Sequence, residues 1–386
     1  MPVYRRSWWG LAVAAILLVA ACKESLGPQA HLSDPAGLSS DLNTVSGVLL
    51  SPMLKSFAAV SSTTGSPAAA PSRLGALLRA VPIGPPGTAS AVGAYSAARL
   101  RAVRRSAATF SGGISASVVP AALLGTTWVW NTTTHAYEQD GTFTPAAPTD
   151  RVRIILYAID PSTGHILETP LTPTGFVDLV DESTTTPAVD KLHVIVSGGT
   201  PASPGTEYAN YTVSGQVTGN PATAFTATAA GFVRDGTHTL TFSATFAATQ
   251  LDTDNPDLRI DVTWDLDNPA VHVELHETHE LSDADHATFT LTEFSITTGV
   301  ESVSMSGTLT TVLSTGGGAV DLVIDVNGVP WVRVYTNASG VWVRHADGSQ
   351  LLPAEGQAFR DLYALPAVIE FAILSLFSPC QSLMGA

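Results

Sequence analysis

Alternation of apolar and polar residues, with a period of two, dominates the chain from about residue 125 to 347 and constrains the fold more than any other feature. Leu240 and Phe242, for example, are separated by Thr241 and flanked by Thr239 and Ser243. Successive side chains of a β-strand point to opposite faces, so this spacing predicts strands with one buried face and one solvated face. The pair Asn327-Gly328 between two such runs predicts a two-residue hairpin turn.

Strand and turn segments follow one another closely, which favours pairing of sequential strands in an antiparallel meander. Predicted strands include 164–171 and 271–281. Open twisted sheets rarely exceed about ten strands, so a sheet of this size should curl or close. Residues 355–377 have the apolar spacing of a helix. The sequence therefore predicts a mainly β fold: a large antiparallel meander, curved or barrel-like, with N-terminal helices and one C-terminal helix.

Composition shifts divide the chain into four parts. We expect a signal segment over 1–21, a polar tether over 22–45, a helical and loosely ordered segment over 46–120, and the β domain with its C-terminal helix over 121–386. Within the third part, helical spacing is strongest at 45–60 and at 91–110, with a Ser/Thr/Ala/Pro linker at 61–72 between them.

The first residues form a pattern of their own. Arg5-Arg6 precede an apolar run from Trp8 to Val19, and Val19-Ala20-Ala21 lead into Cys22. A charged start, a short apolar core and small residues before a cleavage point are typical of a secretory signal. The apolar core is shorter than the ~20 residues that a spanning helix needs.

This pattern resembles the signal peptide and lipobox of bacterial lipoproteins, with valine at position 19 where the family more often has leucine. The resemblance covers only the first twenty-two residues. It implies cleavage before Cys22, acylation of that cysteine and a membrane anchor. Lys23 stands where an aspartate would favour retention at the inner membrane, so the resemblance implies a cell-envelope protein lipid-anchored at the outer membrane. A plain secreted protein is the alternative.

Charge narrows the choice of partners. The chain has 18 Lys and Arg against 33 Asp and Glu, a formal net charge of −15. Binding to phosphate backbones needs clustered positive charge, so we expect no nucleic-acid partner.

A histidine-rich strand is the sharpest candidate site. On the strand 271–281, His272, Glu274 and His276 project from one face, and imidazole with carboxylate can bind zinc or another transition metal. His279 should point to the other face. The alternative is the ordinary polar outer face of an antiparallel sheet, since no further ligands with a recognised metal-site spacing accompany these three residues.

An acidic turn offers a second candidate. Asp252, Asp254 and Asp257 supply oxygen atoms of the kind that calcium binds. The segment lacks the glycine and distal glutamate of the helical calcium loop, and a simple turn built on Asp, Asn and Pro256 is the alternative.

Catalytic signatures such as a nucleophile elbow, a phosphate loop or a dinucleotide fingerprint do not occur in the sequence. The sequence therefore favours a non-enzymatic envelope lipoprotein that binds an apolar small molecule or a protein partner on a curved sheet. Trp128 and Trp130, which share a strand face, are either core residues or contacts for such a ligand. A surface structural or adhesive lipoprotein, and a metal-dependent enzyme using the histidine strand, are the alternative functions.

Overall fold

A computed structural model describes residues 30–60, 100 and 118–383, apart from 187, 220–221, 284 and 316. The signal segment with Cys22, and most of the predicted helical segment between 61 and 117, lie outside the described residues. The helices are α1 (Pro35–Leu49), α2 (Pro52–Ala59), a short 3₁₀ turn (Ala121–Leu123) and α3 (Pro353–Leu383).

The strands are β1 (Thr127–Asn131), β2 (Ala136–Gln139), β3 (Arg151–Tyr157), β4 (Pro173–Asp181), β5 (Thr184–Thr185), β6 (Ala188–Thr200), β7 (Ser203–Thr218), β8 (Ala224–Arg234), β9 (Thr239–Thr249), β10 (Asp257–Leu266), β11 (Val271–Leu281), β12 (His286–Thr297), β13 (Ser302–Val312), β14 (Gly317–Val326), β15 (Val329–Asn337) and β16 (Gly340–His345).

The predicted fold class is confirmed: strands make up 54% of the structure, with an N-terminal helix pair and one C-terminal helix. Fifteen strands lie in the order β16-β15-β14-β13-β12-β11-β10-β9-β8-β7-β6-β4-β3-β1-β2, and β5 pairs with β6 beside this path. From β3 to β16 every pairing is antiparallel. The pairing of β1 with β3 is parallel, because the chain leaves the β1–β2 hairpin and returns on the other side of β1.

Local sequence explains the long strands. In β9, Leu240, Phe242, Ala244 and Phe246 are buried, and the residues that alternate with them are exposed or half-buried. The turn at Asn327-Gly328 has positive φ at both residues, 52° and 74°, as a type I′ hairpin requires. The expected hairpin between β14 and β15 is therefore present.

Two helices pack on the buried face of the sheet, and a third packs on both of them. Helix α1 contacts β8 and β9, α2 contacts β3 and β4, and α3 packs against both α1 and α2. Ala358, Leu362, Leu365 and Ile369 form the buried stripe of α3. One apolar core joins these helices to strands along the whole path. Because one group of helices contacts strands so far apart in the order, the sheet curves around them.

Helix α1 begins inside the segment expected as a tether. Asp34 accepts a hydrogen bond from Gly37 N at 2.9 Å, and Pro35 occupies the first helical position. Both features stabilise a helix start, since Pro lacks an N–H that the first turn would leave unpaired. The tether expected over 22–45 therefore reaches, in the described part, no further than residue 34. Ser51 and Pro52 repeat the same device, which splits the expected helix over 45–60 in two.

The predicted strand at 164–171 is wrong. The segment between β3 and β4 is a loop that makes only two isolated bridges, Ile159 with Ile166 and Glu168 with Leu171. Pro161 and Pro170 cannot donate to a ladder, which limits regular pairing here. Helix α3 exceeds its expected range at both ends. Within the described residues, no helix combines the length and apolar character needed to cross a membrane.

Candidate binding and metal sites

The structure places the predicted histidine ligands on one face of β11, between β10 and β12. His272 contacts two carboxylates: its Nδ1 lies 2.6 Å from Asp265 Oδ1 and its Nε2 lies 3.2 Å from Glu274 Oε1. The hydrogen bond to Asp265, opposed by partial burial, raises the pKa of His272. His276 Nδ1 lies 2.7 Å from Asp261 Oδ1.

A fourth residue joins this set. Glu293 of β12 stands directly opposite His276, and ligand atoms of Glu274, His276 and Glu293 lie within 4.8 Å of one another. All three are partly or fully exposed. Because Asp261 already engages His276, the arrangement fits a hydrogen-bonded polar outer face as well as a cation site. Metal binding by His272, Glu274 and His276 stays a prediction.

Two polar side chains in the second half of β11 lie on the opposite, buried face of the strand. Glu277 and His279 are 3% and 2% exposed, and His279 Nε2 lies 3.2 Å from Glu277 Oε1. The imidazole meets the Phe289 ring edge-on, with centroids 5.1 Å apart. The side chains alternate along β11, so His279 faces away from the His276 side, as expected.

The acidic turn before β10 does not draw its three carboxylates together. Asp257 opens β10 and accepts a hydrogen bond from Gln250 Nε2 at 2.8 Å, and burial raises its pKa. Asp252 and Asp254 are exposed. No group of three ligand atoms within 4.8 Å includes them in the described part of the chain. Calcium binding there stays a prediction.

A buried polar cluster at β16 and the start of α3 escaped the sequence analysis. Glu355, in the first turn of α3, and His345, the last residue of β16, have side chains only 4% and 3% exposed. His345 Nε2 lies 3.1 Å from Glu355 Oε2, and His31 Nδ1 lies 3.2 Å from Glu355 Oε1. Trp331 donates from its indole N–H to Glu355 Oε1 at 3.4 Å.

Backbone groups hold the same cluster in place. Leu352 N donates to Glu355 Oε2 at 3.0 Å. Burial would raise the pKa of Glu355, but this hydrogen bond and the neighbouring imidazoles of His31 and His345 outweigh burial and lower it. His345 Nδ1 lies 3.3 Å from the carbonyl oxygen of Trp331. The carboxylate is thus fixed from four directions.

A cleft of about 500 Å³ is lined by the end of α2, by β1 with the turn after it, and by the loop between β3 and β4. Trp130, Ile166 and Leu167 supply apolar surface, and Ala59 closes the side next to α2. The polar lining consists of His135, Asp160, Thr163, His165, Glu168 and Thr169. This volume falls within the usual range of ligand pockets, about 300–1,000 Å³.

Glu168 organises the polar side of this cleft. Its Oε1 accepts from the Trp130 indole N–H at 2.8 Å and lies 2.7 Å from His135 Nδ1. These contacts, that with His135 first, lower the pKa of Glu168. A hydrogen bond from the Ser162 hydroxyl likewise lowers the pKa of Asp160. His135 itself has φ of +52°, a conformation uncommon outside glycine.

The Trp130 cleft and the Glu355 cluster differ in the signal they leave in the sequence. Trp130 and His135 are five residues apart, but Glu168 reaches them only through the loop after β3. His31 and Glu355 are separated by 324 residues and share no local pattern.

Comparisons with protein-family models, with curated proteins and with solved structures return no match for this chain.

Proposed function

We propose that this protein is a non-enzymatic lipoprotein of the cell envelope that binds a small ligand with an apolar body in the Trp130 cleft. An acyl chain on Cys22 would anchor it in the outer membrane. The observation that carries the binding role is the open cleft at the end of α2, with apolar and hydrogen-bonding groups facing one volume of about 500 Å³.

The inner face of the sheet is already covered, which favours the Trp130 cleft as the position of the ligand. Helices α1 and α2 pack there against the strands, α3 packs on both helices, and the apolar residues of helices and strands form one core. An apolar ligand under the helices would have to displace them from that core. The cleft needs no such displacement, because it is open at the rim of the curved sheet.

The lining selects an amphipathic ligand. The partly exposed indole of Trp130 and the side chains of Ile166 and Leu167 offer a surface for an apolar group. The carboxylates of Glu168 and Asp160 accept hydrogen bonds and carry negative charge at neutral pH, since their pKa values are lowered. Hydroxyl or amino groups on the ligand match them, whereas a carboxylate or phosphate would be repelled.

Native mass spectrometry of the intact chain, purified in detergent with no ligand added, tests this proposal. We expect a co-purifying small mass that is lost from Trp130→Ala. Trp342→Ala is the matched control, because Trp342 is also a partly exposed strand tryptophan but lies in β16, at the other end of the strand order. A bare protein mass, or a ligand retained by Trp130→Ala, would contradict the binding role and favour a structural or adhesive one.

The anchor has a separate test. Cys22→Ala should leave the chain in the soluble fraction, because several acyl chains contribute about 0.8 kcal/mol of membrane affinity per buried methylene. A Cys22→Ala chain that still sediments with membranes would place the anchor elsewhere, without bearing on the cleft.

A further inference from the structure

We propose that His31, His345 and Glu355 form a binding site for a divalent transition metal, with Zn²⁺ as the best match. The three residues come from the segment before α1, from β16 and from the first turn of α3. Their ligand atoms all lie within 4.8 Å of one another. Two imidazoles and one carboxylate are a ligand set that zinc accepts, with a fourth position left for water.

The hydrogen bonds of His345 point to a cation beside it. A carbonyl oxygen can only accept, so the Trp331 carbonyl 3.3 Å from Nδ1 requires the proton on that nitrogen. In neutral His345 the lone pair on Nε2 then faces Glu355 Oε2 at 3.1 Å, where two acceptors would repel. A metal ion between Nε2 and the carboxylate removes this conflict.

The distances suit such an ion. Zinc bonds to nitrogen and oxygen are about 2.0–2.2 Å long, so two ligands of a tetrahedral ion lie about 3.3 Å apart. The distances from Glu355 oxygens to His345 Nε2 and His31 Nδ1 are 3.1 and 3.2 Å. Small movements would therefore admit the ion.

The surrounding groups behave as supports for metal ligands. Metal-bound histidines usually donate their other N–H to a carbonyl or carboxylate, as His345 does to Trp331. The carboxylate of Glu355 is oriented by Leu352 N and the Trp331 indole. Both His345 and Glu355 are buried, which fixes their side chains before any ion binds.

His31 provides the open side of the site. Its side chain is 57% exposed, so the ion and a fourth, exchangeable ligand can enter beside it. The segment carrying it is held independently: Ala30 N donates to Pro330 O at 3.3 Å, and the Ser33 hydroxyl donates to Glu301 at 2.8 Å. A bound ion would attach the segment around His31, nine residues after Cys22, to β16 and α3.

An imidazolium of His345 paired with Glu355 is the metal-free alternative, and the experiment separates the two. The intact chain in detergent, stripped with a chelator, is titrated with ZnCl₂ by calorimetry. We expect one Zn²⁺ at this site and at least a tenfold loss of its affinity in His31→Ala, whose exposed position should leave the fold intact by circular dichroism. Glu355→Gln should lose more.

His276→Ala is the matched control, because His276 belongs to the other cluster of possible ligands, on the outer face of β11. His276→Ala should leave Zn²⁺ binding at the His31 site as it is in the unaltered chain. Cobalt in place of zinc should give the visible absorption of a four-coordinate ion. Absence of binding, binding unchanged by His31→Ala, or binding lost in His276→Ala would each overturn the proposal. None of these outcomes depends on the Trp130 cleft.

Discussion

Replacing Asp178 by leucine should destabilise the protein more than any ordinary surface substitution, because it leaves the buried charge of Arg153 without its partner. Arg153 of β3 and Asp178 of β4 stand directly opposite each other. Their side chains are 8% and 6% exposed and joined by two hydrogen bonds, Nε to Oδ1 at 2.7 Å and Nη2 to Oδ2 at 2.8 Å. The guanidinium also lies 4.8 Å from the centroid of the Phe176 ring.

The loss of stability depends on which residue of the buried pair remains. A guanidinium stays charged at every accessible pH, so Asp178→Leu leaves Arg153 ionised in a dry site. Breaking a buried pair in this way costs about 3–5 kcal/mol. Replacing both partners, as in Arg153→Met with Asp178→Leu, removes both charges. Such exchanges range from neutral to about 1–4 kcal/mol stabilising. The double variant should therefore be more stable than the single one.

Urea denaturation of the unaltered chain, both variants and a surface control measures these free energies of unfolding. Asp321→Leu is the control, since Asp321 pairs with Arg333 across neighbouring strands but the two side chains are 57% and 52% exposed. Exposed pairs contribute about 0–1 kcal/mol. An Asp178→Leu chain no less stable than the control, or a double variant as unstable as the single one, would show that the unpaired Arg153 charge is not the cause.

Two further perturbations test the packing and the electrostatics. Gly307→Ala should lower the free energy of unfolding by about 1–3 kcal/mol, because φ at Gly307 is +142° and a Cβ would overlap the carbonyl oxygen of Asp321. Gly299 has open space around it, so Gly299→Ala is the control and should have little effect in the same urea titration. The hydrogen bond from Lys191 at 2.6 Å lowers the pKa of Glu182 below its usual value near 4.5. An exposed pair of this kind contributes about 0.5 kcal/mol to the free energy of unfolding. That contribution is present above pH 4.5 and is lost as the pH falls through the lowered pKa. An NMR titration in which Lys191→Met leaves the pKa of Glu182 unchanged would contradict this cause.

The sequence alone determined the class of fold, because the period of a strand is a local property. The predicted strand 271–281 coincides with β11, and its alternation correctly set His272 and His279 on opposite faces. Turn chemistry is equally local, so Asn327-Gly328 could be assigned without tertiary information. The apolar periodicity of 355–377 likewise identified most of α3.

Predictions failed where pairing or capping overrode the local pattern. The parallel contact of β1 with β3 depends on how the chain returns after a hairpin, which the periodicity of a single strand does not specify. Residues 164–171 have the composition of a strand, but they find no continuous partner in the loop after β3. Helix α1 begins in a polar segment because Asp34 and Pro35 cap it and its buried stripe packs on the core.

The candidate sites depended most on tertiary structure. His31 and Glu355 are 324 residues apart, and neither stands in a motif that announces a ligand. They meet because the curved sheet brings β16 and the start of α3 to the segment that precedes α1. Periodicity identifies elements one at a time, since it arises from the geometry of a single strand or helix. Only packing those elements around one apolar core determines which distant side chains share a buried volume.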